Sequence, residues 1–123
     1  MELYRKDEYF KIIGISMEVH RILGGGLLEI VYKDALEYEF NKHNIPFERE
    51  KKYDIQYKDI VLAHKFYADF VVYDEIILEI KASKDIIDEH TAQTINYLKL
   101  ADSGLGIIVN FNTKSLQHKR VVH

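Results

Sequence analysis

An α/β fold, with a mixed β-sheet covered by helices, is predicted by three features of this sequence. The first half carries two stretches of helical periodicity. The middle carries segments rich in β-branched and aromatic residues. One more helical stretch then separates those segments from a last short apolar strand. Strands that follow one another through short turns pair antiparallel, whereas a strand reached through a helix returns parallel, so the sheet is mixed.

The elements follow in order. Phe10, Ile13, Met17, His20 and Leu23 recur at spacings of three and four, and Ile12, Ile15, Val19 and Ile22 form a stripe beside them. Both stripes are expected to be buried in one helix, which Gly24, Gly25 and Gly26 end. A second helix carries Leu28, Val31, Tyr32, Ala35, Leu36 and Phe40 on or near one face and stops at Asn44 and Pro46. Residues 47–57 read as a polar, partly alternating strand that turns at Lys58-Asp59. Residues 60–72 and 76–81 read as strands with a polar break at Asp74-Glu75. A third helix is predicted over 88–101 with Ala92, Ile95 and Leu98 inward, then a strand over 105–110 and an edge strand in 118–123. The order is α-α-β-β-β-α-β-(β), in one domain spanning residues 1–123, a length suited to a single core.

Composition narrows the function. The chain has no cysteine, which excludes disulfides and thiolate metal sites. No apolar run approaches the roughly 20 residues that span a bilayer, and residues 1–9 carry mixed charge without an apolar signal core, so a cytoplasmic protein is expected. The net charge of −3 weighs mildly against a nucleic-acid partner. A carboxylate site made to hold a metal would also make the metal-free chain acidic. Six scattered histidines give no zinc spacing, and there is no Walker A, nucleophile-elbow or dinucleotide glycine pattern. Gly24-Gly25-Gly26 matches a phosphate loop poorly because it follows a helix rather than a strand.

The strands on either side of Asp74 carry the chemistry. With Asp69 opposite Glu79, Val71 faces Ile77 and Tyr67 faces Lys81, and all six share one face. The opposite face then collects Phe66, Ala68, Phe70, Val72, Ile76, Leu78 and Ile80, all apolar. A slip of one residue would bury charge, so the hydrophobic pattern selects the register that gathers Asp69, Glu79 and Lys81, with Tyr73, Asp74 and Glu75 as the connection. Two carboxylates on adjacent strands suit a hard cation such as Mg²⁺, and a nearby lysine can orient water or neutralise charge on a phosphate. The plainer reading of Glu-x-Lys is an exposed same-face ion pair. Against it stands the position of these charges, at the end of the apolar run Ile76-Ile77-Leu78.

The helices add polar positions with two readings each. Gly26, Glu29 and Tyr32 form G-x-x-E-x-x-Y. On residue physics Glu29 first suits a helix N-terminus and Tyr32 the core; alternatively Glu29 is a third metal carboxylate. Gln93 and Tyr97 lie four apart on one face of the third helix. They form either a surface pair or a ligand-binding Gln93 steadied by Tyr97. His20 reads as a satisfied core histidine, and His64 and His90 as ordinary polar positions.

Four segments together resemble the GxxExxY protein family. They are Leu23-Gly24-Gly25-Gly26-Leu27-Leu28-Glu29-Ile30-Val31-Tyr32, then Tyr67-Ala68-Asp69-Phe70 with Ile77-Leu78-Glu79-Ile80-Lys81, then Gln93-Thr94-Ile95-Asn96-Tyr97-Leu98, and Ile107-Ile108-Val109-Asn110-Phe111. That family is placed in the PD-(D/E)xK nuclease superfamily. The resemblance implies a restriction-endonuclease-like αβββαβ core with an extra N-terminal helix. Carried over, it implies Asp69, Glu79 and Glu29 as metal ligands and Lys81 as the catalytic lysine. Gln93 and Tyr97 are similar to the Q-x-x-x-Y helix motif of RecB-like nucleases, with Tyr32 and Tyr97 in support. Ala68 stands where the superfamily name has proline. The implied activity is a Mg²⁺- or Mn²⁺-dependent nuclease acting on DNA rather than RNA, with a homodimer as a further possibility. The alternative is a nuclease-fold module that holds nucleic acid or a protein partner without cutting. At least one of the gathered acids is expected to have a raised pKa, and Asp69→Asn to abolish cleavage while leaving the fold at least as stable.

Overall fold

The computed structural model describes residues 4–123; the first three residues of the mixed-charge start lie outside it. Ten elements follow the predicted order. They are α1 (Lys6–Leu23), α2 (Glu29–Lys42), β1 (Phe47–Tyr53), β2 (Gln56–Tyr57), β3 (Ile60–Val61), β4 (Phe66–Val72), β5 (Ile76–Lys81), α3 (Asp88–Ala101), β6 (Leu105–Asn110) and β7 (Gln117–Val122). Five strands form one sheet in the order β1-β4-β5-β6-β7. The pair β5–β6, joined through α3, is parallel, and the other neighbours are antiparallel. The strand expected over 60–72 divides, because β2 and β3 form a separate small hairpin about Lys58, whose φ is +53°.

Two apolar layers enclose the sheet. One joins Ile12, Val19, Tyr32, Leu36 and Phe40 of α1 and α2 to Phe70, Leu78, Ile80 and Ile107. The other joins Tyr97 and Leu98 of α3 to Val71, Ile77 and Ile108. Burying such a side chain is worth about 1.5–3 kcal/mol, and β5 and β6 are covered on both faces. That is why they read as unbroken apolar runs rather than alternating ones.

Three face assignments need correction. On α1 the stripe Tyr9, Ile12, Ile13, Ser16 and Val19 is inward, while Phe10 is 52% and Ile22 64% exposed. The covered band straddles the two stripes, taking Ile13 from one and Ile12, Ile15 and Val19 from the other. On α2, Leu28 and Val31 face outward, because the buried stripe is Tyr32, Lys33, Leu36 and Phe40. On α3 the inward residues are Thr94, Tyr97 and Leu98, and Ala92 is exposed. There the contact is set by β6, whose Gly106 lies directly beneath Thr94 and Leu98.

That close approach is testable. A Cβ on Gly106 would stand 2.6 Å from the Thr94 methyl and 3.4 Å from Leu98, inside a packed layer. Gly106→Ala is expected to destabilise the protein by about 1–3 kcal/mol through overpacking. Urea denaturation checks this, and the paired change Gly106→Ala with Thr94→Ser should recover part of the loss.

Candidate active site

The connection between β4 and β5 is Tyr73, Asp74 and Glu75, and Tyr73 and Asp74 adopt φ values of +53° and +67°. Pairing runs from Val72↔Ile76 through Val71↔Ile77 to Phe70↔Leu78. One more step in that register sets Asp69 opposite Glu79. There the side chains take over from the backbone ladder. The Asp69 N–H donates to Glu79 Oε2 at 2.8 Å, and the Ile80 N–H donates to Asp69 Oδ2 at 2.8 Å. Each acid therefore satisfies a backbone donor on the other's strand, and the two carboxyls are fixed side by side.

The strand changes face at this point. Phe66 and Ala68, expected beside Phe70, pack instead with Val71, Ile77 and Tyr97 in the α3 layer. A regular strand would have kept Ala68 with Phe70. Asp69 is where the alternation breaks, and the side-chain bonds just described replace the pairing that would have held it.

Glu79 is 3% exposed. Burial, and then the neighbouring Asp69 charge, raise its pKa from 4.5 to about 8. The hydrogen bond from the Asp69 N–H, and then Lys81 and Lys33, pull the other way, more weakly. On β5, Lys81 extends past Glu79, and its Nζ donates to Gln93 Oε1 of α3 at 3.2 Å. The Tyr97 hydroxyl donates to the Tyr67 carbonyl at 2.8 Å, tying α3 to β4 just before Asp69. Burial and then Glu79 and Asp69 push the Tyr97 phenol up to about 12, so it remains a donor. Gln93 and Tyr97 thus act at different places: Gln93 meets the lysine, and Tyr97 braces the strand.

The G-x-x-E-x-x-Y segment forms a turn clasped by Tyr32. Gly24 and Gly26 take φ values of +68° and +93°, which only glycine adopts freely. The buried Tyr32 hydroxyl donates to the Gly24 carbonyl at 2.6 Å and accepts the Leu27 N–H at 3.2 Å. Its ring stacks on Phe111 at the end of β6, with centroids 4.4 Å apart. This clasp starts α2 at Glu29, which is exposed. Burial and then the Lys81 charge hold the His90 imidazole below its usual pKa, while Glu89 and Glu29 act against that shift. Among the described residues Glu29 does not join Asp69 and Glu79 in a cluster of ligand-type atoms. Among the described residues, Glu29 forms no ion pair.

Three contributors were not singled out in the sequence. Lys33, one position after Tyr32, is buried and donates to Asp69 Oδ1 at 2.9 Å and to Glu50 Oε1. Burial alone would lower its pKa, but its bonds to Glu50 and Asp69 outweigh that and the net shift is upward. Glu50 on β1 is the second partner. Asn110, fully buried, bonds both the N–H and the carbonyl of Ser83, at 3.0 and 2.9 Å, and so staples the loop that follows Lys81. Its place in the Ile107–Phe111 motif was legible; its partner was not. Lys33 had no signal, because a lysine on a helix is ordinarily exposed.

The donor set fits a divalent cation. Asp69 and Glu79 offer hard oxygens side by side, one of them buried so deeply that its charge needs a positive neighbour. A second cluster lies elsewhere: Glu18 of α1 with Glu39 of α2 and His43 at the C-terminal cap of α2, ligand-type atoms within 4.8 Å of one another. It was invisible in the sequence because α1 supplies one member. It lies at the surface, where Glu39 and His43 are an ordinary i,i+4 pair at 3.5 Å.

Glu79 makes stability depend on pH. Its folded pKa of about 8 exceeds the unfolded 4.5, so between those values the folded state binds more protons. Its contribution is complete below pH 4.5 and is lost as pH rises through 8. The metal-free protein should lose on the order of 3 kcal/mol over that window. Glu79→Gln should flatten the dependence and melt higher than wild type at pH 8, as read by thermal denaturation in chelator.

Comparisons with known proteins bear on the fold and the family. A solved structure described as "Crystal structure of SSO0001" is similar in fold, with a TM-score of 0.61 at 23% identity. The match covers 76% of this chain and 48% of that one, so this chain spans about half its length. No curated protein matches significantly. The family model of the PD-(D/E)XK nuclease superfamily matches residues 6–121, nearly the whole chain. With Asp69, Glu79 and Lys81 gathered at the end of the β4–β5 hairpin, the chain belongs to the PD-(D/E)XK nuclease superfamily.

Proposed function

We propose that this protein is a divalent-metal-dependent nuclease that hydrolyses phosphodiester bonds, in DNA rather than RNA. The observation that carries this reading is the reciprocal bonding of Asp69 and Glu79, which holds two acids side by side with Lys81 next along the strand. Asp69 and Glu79 would hold Mg²⁺ or Mn²⁺, with Glu29 reaching it from the rim. The bound ion would supply a polarised phosphate and a more acidic water.

The remaining work falls to the chain. Lys81, directed by Gln93, places a positive charge where negative charge grows on the phosphate. Tyr97 keeps β4 in place beneath Asp69. Tyr32 and the glycine turn fix the start of α2 and so the position of Glu29. A cytoplasmic location and a homodimer acting on paired strands are consistent extensions. Among the described residues, no helix is long and apolar enough to cross a membrane. The other reading, a module that binds nucleic acid or a protein partner without cutting, draws on the net charge of −3 and predicts no turnover.

A panel of single-stranded, duplex, branched and RNA oligonucleotides, incubated with Mg²⁺, Mn²⁺ or chelator, tests the activity. Metal-dependent cleavage of the DNA substrates is expected, and none in chelator. Lys81→Ala should slow single-turnover cleavage about 100-fold or more while changing affinity little. If the wild type never cleaves and Lys81→Ala only weakens binding, flattening its salt dependence by about one unit, the binding module replaces the nuclease.

Asp69→Asn should reduce cleavage to background. The effect on stability differs from the expectation drawn from sequence. Asp69 is also an ion-pair partner of the buried Lys33, so the neutral variant should lose about 1–2 kcal/mol by urea denaturation in chelator. Equal activity in this variant would refute the catalytic assignment.

A further inference from the structure

Lys33 and Glu50 are not part of any role assigned above, yet both are aimed at the acids. Lys33 is the one charged side chain on the buried stripe of α2, among Tyr32, Leu36 and Phe40. Its ammonium lies between Asp69 Oδ1, at 2.9 Å, and Glu50 Oε1. Glu50 belongs to β1, where Arg49 pairs with Phe70 and Lys51 with Ala68. Between those regular pairs, Glu50 has a φ of +55°. A non-glycine residue in the left-handed region is strained, and such outliers persist where the surroundings enforce them. The distortion falls opposite Asp69, the same point at which β4 changes face. Both strands are bent at one level, and both acids meet one cation.

We propose that Lys33 is a tethered counter-cation occupying the position between Asp69 and Glu50, and that Glu50 becomes a further carboxylate ligand when a divalent ion displaces this ammonium. The inference rests on the metal-binding reading of Asp69 and Glu79. In the metal-free protein the ammonium keeps Asp69 and Glu50 converged despite their like charge. When the ion enters, Lys33 leaves through the side on which Glu50 is half-exposed. The ion must compete with an internal cation, so Lys33 sets a weaker affinity than the carboxylates alone would give.

Metal binding without nucleic acid separates the possibilities. Wild type, Lys33→Met and Glu50→Gln are titrated with Mg²⁺ and Mn²⁺ by calorimetry, and melted in chelator and in each ion. Lys33→Met should melt about 5 °C lower in chelator, bind the ions about tenfold more tightly and gain more melting temperature from them. Glu50→Gln, isosteric and half-exposed, reports even where Lys33→Met fails to fold, and it should bind about tenfold more weakly. Unchanged or weaker binding by Lys33→Met, or unchanged or tighter binding by Glu50→Gln, overturns the proposal while leaving Asp69 and Glu79 as metal ligands. If none of the three proteins binds either ion, the metal-binding reading falls and this inference with it.

Discussion

The clasp between Asp69 and Glu79 governs the rest of the molecule because it places a carboxyl where water cannot reach. A buried carboxylate is tolerable only if it is protonated, hydrogen-bonded or paired with a cation. Glu79 accepts one backbone N–H, lies beside another acid and is raised toward neutrality at physiological pH. The surroundings supply the other remedy. Lysines arrive from two directions, Lys33 from α2 against Asp69 and Lys81 from β5 toward α3. The β4–β5 ladder stops where these charges begin, while β5 stays paired with β6 through Lys81. An apolar hairpin drives the fold up to Phe70 and Leu78, and the polar cluster begins one residue later.

The helices are held by devices that act on this end of the sheet. Tyr32 clasps the glycine turn and stacks on Phe111, so the start of α2 is fixed to the end of β6. Asn110, next to Phe111, fixes the loop after Lys81. Tyr97 fixes α3 to β4 before Asp69. Each is a buried or half-buried side chain bonding to a backbone group, a contact that holds position without requiring an exact partner side chain. Positions of this kind explain why motif residues need not touch a reacting atom. In G-x-x-E-x-x-Y the tyrosine and glycines form the bracket, and Glu29 is what the bracket presents.

The order of elements and the register of β4 and β5 were legible because they follow from periodicity and from the cost of burying charge. The apolar runs of β5 and β6 could belong only to strands covered on both sides. Asp69 and Glu79 could be gathered on one face only if the connection was odd in length. Helix faces were less legible. The two apolar stripes of α1 look equivalent in a list of residues, and only the packing decides which members of each are covered. The face switch of β4 at Asp69 was not legible at all, since alternation assumes a regular strand and the irregularity comes from tertiary hydrogen bonds. Lys33 and Glu50 were missed for the same reason. A lysine on a helix and a glutamate in a charged strand carry no local mark of burial or strain, and their meeting depends on how α2 lies against β1 and β4.

The overall charge of the chain is a poor guide to its partner for a related reason. A net charge of −3 counts every acid as a free anion. Glu79 is raised toward neutrality, Asp69 and Glu50 share an ammonium, and much of the remaining acidity lies in surface pairs such as Asp34 and Glu37 with Arg49. The field that a phosphate would meet at the end of β5 is set by Lys81, held by Gln93, and by any cation that the acids bind. If the internal ammonium is exchanged for a divalent ion, the site gains the charge of the ion and keeps that of the lysine, which remains on its tether close by. A locally attractive surface for nucleic acid can thus arise on a chain whose composition argues mildly against one, provided the cation is bound first.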